Sequence, residues 1–365
     1  MATNGLSVHL VGTGSYLHGE PIDNKQVEAL VGPVPEDILE GIQVQHRHWM
    51  IDPHTGEHLI SNSEMAARAA AQAIERAGLR PADIDLIVMS TASPEYQLPP
   101  AVTFVQQHLG IAECATLEIR SGCAGFVEAA DIAYGYLTRG AFRNALVVGC
   151  EAISPLLVPL YRGIDPERVR MRDRLVAYTF GDGAGALVLR AEAAVPGIRS
   201  GVLGSVLETM GGLKKPGMQV IGGATHAPLH QQALAKRLVA LQVDVVESGK
   251  FIPHMITRSL KALLQASDLA AEDIALWVVP EGNAGYMTSE LEAAGLLTDE
   301  WLALRDKVYE NIARVGATGS AAVPLALDEA ATTGRVRAGD NVMLLAIETS
   351  KWKYAGMTLV WGSGR

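Results

Sequence analysis

Cys123 is the residue in this chain best placed for covalent chemistry. It lies in "LEIRSGCAGFVEAADIAYGYLTRG" (Leu117 to Gly140), after a strand-like run and before a helix-like one. Its small neighbours Gly122, Ala124 and Gly125 let another backbone or a substrate approach closely. A thiol at a helix start meets exposed N–H groups and the positive end of the helix dipole. Both favour the thiolate, and the N–H groups can hold a developing oxyanion. The same cysteine would also serve as a small residue packing a helix against a sheet, and the residues alone leave the two readings open. Cys114, in a turn before a strand, and Cys150, at the end of an apolar strand, read as inert buried thiols.

The elements that must position Cys123 alternate between strand-like and helix-like runs, the pattern of an α/β fold with buried sheets. "LSVHLVGTGSYL" reads as a strand and glycine turn, and "EMAARAAAQAIERAGL" (Glu64 to Leu79) as an alanine-rich helix. "DIDLIVMSTAS" and "NALVVGCEA" read as buried strands, and "YTFGDGAGALVLRAE" as a glycine turn entering another. The chain has 365 residues, 48% of them hydrophobic and 19% charged, which is ample for a large core. A formal charge of −10 excludes a general nucleic-acid binder. Three cysteines without spaced pairs suggest reduced thiols, with neither a disulfide framework nor a zinc site. The start "MATNGLSVHLVGTGSYL" has no basic segment or long apolar run, and no stretch suits a bilayer. The expectation is a cytoplasmic protein without a membrane partner.

The second half of the chain repeats the first. "ERAGLRPADIDLIVMSTAS" (from Glu75) matches "LQASDLAAEDIALWVVPEGN" (from Leu264), and the Cys123 helix with its following strand matches the run from Ala317. Anchored on Gly140 and Gly334, Cys123 falls opposite Ala317. The duplication divides the chain near residue 195 into halves 1–195 and 196–365, packed as one body for want of a flexible linker. Two excursions interrupt the repeat, "VPLYRGIDPERVRMRDRLVAY" and "MGGLKKPGMQVIGGATHAPLHQQ", and such loops build binding sites. The first reads mainly as a solvated, salt-bridged helix, with a docking surface as the alternative.

"GTGSYL", "GCAGF", "LVVGCEA", "FGDGAGALVL" and "GSAAVPLALDEA" fall in the order found in ketoacyl synthase III-type enzymes of the thiolase superfamily. The resemblance spans nearly the whole chain. It implies a thiolase-like duplicated five-layer αβαβα fold, a homodimer, no cofactor, and Cys123 as the carrier of an acyl thioester. It also exposes departures. Such enzymes pair the cysteine with a histidine and an asparagine; Glu281 in "VVPEGNAGYM" stands in the histidine position and Ala317 in the asparagine position. Thr349, Ser350 and Lys351 stand where the terminal loop would carry glycines. Leu39 and Tyr286 replace the arginines that would hold the CoA nucleotide and a carrier protein.

These losses weigh against decarboxylative condensation, whose enolate needs the missing donors and would be repelled by an ionised Glu281. Acyl transfer needs less. The resemblance points to the backbone amides of Cys123 and Ser350 as the oxyanion hole, and Glu281 could act as base for an alcohol or amine acceptor. An anionic Glu281 would also raise the thiol pKa, and the residue could instead be the remnant of a retired site. His226 and His230 could roof the cavity as recruited bases, though surface loop positions suit them better. His254 reads as a helix start, and His46 and His48 as structural. The resulting expectation is an acyltransferase passing a group from a CoA or acyl carrier protein donor, with the carrier favoured, to a small-molecule or carrier acceptor in natural-product biosynthesis. A condensing enzyme for starter-unit or ring-forming polyketide chemistry and a catalytically retired subunit are the alternatives.

Overall fold

The computed structural model describes residues 5–232, 241–280 and 282–362. The strands of the first half are β1 (Leu6–Tyr16), the short pair β2 (Ile22–Asp23) and β3 (His46–Arg47), β4 (Leu86–Ser90), β5 (Ala115–Ile119), β6 (Asn144–Glu151) and β7 (Gly183–Ala193). Those of the second are β8 (Val202–Thr209), β9 (Met218–Val220), β10 (Leu241–Val243), β11 (Ile274–Val278), β12 (Val308–Tyr309), β13 (Asn341–Glu348) and β14 (Lys353–Val360). Two five-stranded sheets result, ordered β1-β7-β6-β4-β5 and β8-β14-β13-β11-β12. The repeat is therefore structural. In each sheet the outer pair nearest the first strand is antiparallel, and the crossover pairs β4/β6, β4/β5, β11/β13 and β11/β12 are parallel.

The helices are α1 (Asn24–Val31), α2 (Glu36–Ile42), α3 (Asn62–Arg76), α4 (Ala101–His108), α5 (Gly125–Thr138), α6 (Val158–Arg162), α7 (Met171–Thr179), α8 (Leu229–Gln232), α9 (Val245–Ser267), α10 (Ala284–Ala293), α11 (Asp299–Leu304), α12 (Ile312–Val315) and α13 (Ala322–Thr332). Alternation along the strands sets the layers. On β6, Leu146 and Val148 pack toward α3 and α4, while Ala145 and Val147 face α5 and α13. On β13, Val342, Leu344 and Ala346 face the same central helices, and Met343, Leu345 and Ile347 face α9, α10 and α11. The order is helices, sheet, the α5/α13 layer, sheet, helices: the five-layer αβαβα architecture.

Layer position explains the helix compositions. The leading turns of the central helices are buried all round, Gly125 to Ala130 in α5 and Ala322 to Asp328 in α13, and most of these residues are small or aliphatic. The alanine-rich α3 is cut to fit closely on β1 and runs Asn62–Arg76, slightly earlier than its sequence pattern suggests, because Ser61 caps it through Glu64 N at 3.1 Å. His254 departs from expectation. It lies within α9, whose start is capped by Asp244; Pro253 stands inside the helix instead of opening it. The bond its missing N–H forgoes is that to the carbonyl of Gly249. No helix among the described residues is long and apolar enough to cross a membrane.

Candidate active site

Cys123 is half-buried in the turn that leads from β5 into α5. Side chains from both halves fix this turn. Ser90, the last residue of β4, donates through Oγ to Ser121 O at 3.1 Å. Ser320, at the start of the α13 segment, reaches Ser121 O and Gly122 O, each at 2.9 Å, its one hydroxyl proton shared between them. The two hydroxyls also meet each other at 3.0 Å. Gly122 O accepts Gly125 N at 2.8 Å, closing the turn. The small residues around the thiol serve these approaches: a side-chain carbon on Gly125 would lie 1.9 Å from Ser90 Oγ.

Glu151 supports Ser320 from below. It ends β6, is 1% exposed, and accepts from Ala92 N at 3.0 Å, Ser320 N at 3.4 Å and the Ser93 hydroxyl. Burial pushes its carboxyl up to about 7, against the lowering effect of these hydrogen bonds. Asp182, also buried, rises to about 6 for the same reason and clips the Ser154 segment to Met50, accepting from Met50 N at 2.6 Å and Ser154 N at 2.8 Å.

The β13–β14 turn closes the other side. Ser350 is half-buried in it, and Lys353 just beyond pairs with Glu128 of α5 at 2.8 Å. The turn is anchored: Trp352 is fully buried with φ 58, its indole donates to Lys215 O at 2.7 Å, and Gly217 N donates to Thr349 O at 3.2 Å. Glu348, last in β13 and 1% exposed, lies against Gly122; a side-chain carbon there would meet its Oε2 at 2.7 Å.

A cavity of about 910 Å³ opens between the halves, with Arg172, Phe180, Val243, Gly249, Ile252 and Tyr286 among its walls. Both excursions from the repeat contribute, through Arg172, Leu175 and Val176 on one side and Pro216, Gly217 and Gln219 on the other. Of the first excursion's arginines, Arg162, Arg168, Arg170 and Arg172 are exposed, while Arg174 donates to the carbonyls of Pro33 and Pro166. Gly249, the residue whose carbonyl Pro253 deprives of a partner, lines the same space.

The other expected residues fall as follows. Ala317 is half-buried and bridges to Phe180, its N–H donating to Thr179 O at 2.8 Å. Tyr286 lines the cavity on α10, where burial raises its hydroxyl's pKa. Glu281 lies outside the described residues; next to it Asn283 donates from N and Nδ2 to Gln43 Oε1, at 2.9 and 2.6 Å, anchoring that loop beside the cavity. His226 and His230 are exposed and are not among the cavity's lining residues. His48 is buried on the carbonyls of His18 and Gly19, which accords with a structural part. Cys150 is buried, with Sγ on Asn62 O at 3.2 Å, whereas Cys114 is only half-buried because the turn before the edge strand β5 leaves it partly uncovered. Sequence reasoning passed over Ser90, Ser320, Glu151 and Glu348. The two glutamates each end an apolar strand run, a pattern that could have drawn notice.

A duplicated five-layer fold with a cysteine at the head of a buried central helix defines a thiolase-type enzyme. Within that class, residues 117–211 match the family described as 3-Oxoacyl-[acyl-carrier-protein (ACP)] synthase III, and residues 264–361 match its C-terminal part. The beta-ketoacyl-[acyl-carrier-protein] synthase III of Caldanaerobacter subterraneus subsp. tengcongensis is 30% identical over 359 residues, covering 98% of this chain and 97% of that one. That of Rhizobium meliloti is 32% identical over 359 residues, covering 96% of each. The chain belongs to the ketoacyl synthase III family of acyl-transferring condensing enzymes. Among solved structures, the Pseudomonas aeruginosa synthase III superposes with a TM-score of 0.77 at 23% identity, covering 97% of this chain and 98% of that one. AbyA1, a tetronic acid condensing enzyme, gives 0.79 at 24% identity, covering 97% and 100%.

Proposed function

We propose that the chain is an acyltransferase that forms a thioester on Cys123 and passes the acyl group to a small-molecule or carrier-bound acceptor. The observation that carries this reading is the contrast between a seated nucleophile and an absent donor pair. The Cys123 turn is held by hydroxyls from both halves. The family's asparagine position holds Ala317, which offers a half-formed enolate no side-chain donor. The thiolate attacks the donor's carbonyl; the amides of Cys123 and Ser350 receive the oxyanion; Glu281 is the acceptor's base on the sequence reading.

A carrier-borne donor suits the cavity better than free CoA. Among the described residues lining it, Arg172 is the one cation, against Asp244 and Glu290, and offers little to a nucleotide's phosphates. A homodimer through the edge strand β5 fits the topology, since among the described residues β5 pairs only with β4 and exposes Leu117. The likeness to AbyA1 supports a place in natural-product assembly, and it also favours the second reading, a condensing enzyme.

The test is intact-protein mass after incubation with acyl-CoA and acyl-carrier donors, wild type beside Cys123→Ala. The expected result is an acyl adduct on wild type alone, with no CO2 from a malonyl donor. CO2 release dependent on Cys123 would establish the condensing reading, and an absence of adducts from every donor would point to a retired subunit.

A further inference from the structure

The repeat places Glu151 and Glu348 at equivalent points. Each closes an eight-residue strand, "NALVVGCE" and "NVMLLAIE", third in its sheet. Each lies under the turn that opens the central helix of the opposite half: a side-chain carbon on Gly319 would meet Glu151 Cγ at 2.7 Å, and one on Gly122 would meet Glu348 Oε2 at 2.7 Å. Their partners differ. Both oxygens of Glu151 accept hydrogen bonds. Among the described residues, nothing donates to Glu348 Oε2.

An unpartnered buried carboxylate oxygen is costly, the more so when the group is charged. Glu348 also continues the face of β13 on which Leu344 and Ala346 pack against the central helices, a row where an apolar side chain would fit without cost. The residue beside it is the nucleophile's immediate neighbour.

We propose that Glu348 is a further catalytic residue, the proton carrier of Cys123. This rests on the acyl-enzyme reading above. As Cys123 attacks, its S–H bond breaks and the proton passes to the Glu348 carboxylate while a C–S bond forms to the donor carbonyl. When the tetrahedral adduct collapses, the donor's own C–S bond breaks and its departing thiolate takes that proton, leaving Glu348 ionised again. Two other charged groups are tied to this part of the fold: Glu128, paired with Lys353, and Glu151, which reaches the turn through Ser320. Glu281 remains the acceptor's base, so the two carboxylates serve different half-reactions.

The test compares wild type, Glu348→Gln and Glu348→Asp in two assays. The first is iodoacetamide alkylation of Cys123 across about pH 6–10, read by peptide mass, which needs no acyl donor. Removing a nearby negative charge should move the midpoint down by about one unit in Glu348→Gln, while Glu348→Asp stays near wild type. The second is the rate of adduct formation from acetyl-CoA and acetyl-carrier protein, which should fall about 100-fold in Glu348→Gln despite its more abundant thiolate. Faster alkylation with slower acylation is the signature of a proton carrier. An unchanged midpoint, or both rates rising together, overturns the proposal. A shifted midpoint with no wild-type adduct from any donor would leave Glu348 coupled to Cys123 and overturn the acyl-transfer reading instead. The midpoint criterion applies to Glu348→Gln; should that variant fail to fold, Glu348→Asp carries the test, with slowed acylation at a wild-type midpoint expected and an unchanged acylation rate overturning the proposal.

Discussion

The turn before α5 and the turn before α13 are copies of one element with opposite fates. At the first, Gly122 and Cys123 are half-buried and face the site. At the second, Thr318, Ser320 and Ala321 are fully buried, and Ser320 spends its hydroxyl on the carbonyls of the first. The glutamates beneath follow suit, saturated under the second turn and short of a partner under the first. On the acyl-enzyme reading proposed above, one copy carries the nucleophile and the other has become its seat. A duplicated fold can thus keep symmetric backbones while dividing reactivity and support between its halves.

Three changes probe that division, taken from the largest effect down. Gly149→Ala strikes the supporting copy, because the new carbon would stand 2.1 Å from Ser320 O, a backbone atom. Overpacking there should destabilise the fold by about 3 kcal/mol. A urea titration measures this, and adduct formation at Cys123 should slow as Ser320 shifts.

Glu151→Gln reads the charge under the supporting turn. The folded value of about 7 lies above the unfolded 4.5, so the native state binds more protons between those pH values. Its contribution is full below about pH 4.5 and is lost as pH rises through 7. Between pH 5 and 8 wild type should therefore lose about 2–3 kcal/mol that the glutamine variant does not lose. Denaturation of both proteins at the two pH values gives the difference; parallel curves would contradict it.

Ser320→Ala sharpens the comparison most finely. Ser90 still serves Ser121 O, so Gly122 O alone loses its side-chain partner, at a cost of about 1 kcal/mol. Acylation should slow several-fold with little change in thermal midpoint, whereas an equal fall in both would mark Ser320 as structural only.

The fold was largely readable in the chain because buried strands and an alanine-rich helix announce themselves by composition. The repeat was readable because Gly140 and Gly334 punctuate both copies alike. Cys123 stood out through its small neighbours and the motifs around it. Glu348 did not, since an acidic residue at the end of an apolar run reads as a strand meeting solvent; only the convergence of β13 on Gly122 shows it to be buried. Ser90 and Ser320 were hidden for a similar reason, lying 230 residues apart yet within 3.0 Å. His254 misled because Pro253 usually opens a helix, and here α9 runs through it.

The ties that hold the nucleophile have a consequence for how the enzyme comes into being. Ser320 reaches back 198 residues to Gly122 and Lys353 reaches back 225 to Glu128; elsewhere in the fold Asp328 reaches back 315 to accept from Thr13 at 2.7 Å. Contacts of such sequence separation form late, after long loops have closed, and they give folding a high contact order. Cys123 leaves the ribosome near the first third of the chain, but its seat is finished only when β14 docks. During synthesis the thiol is present long before its site is.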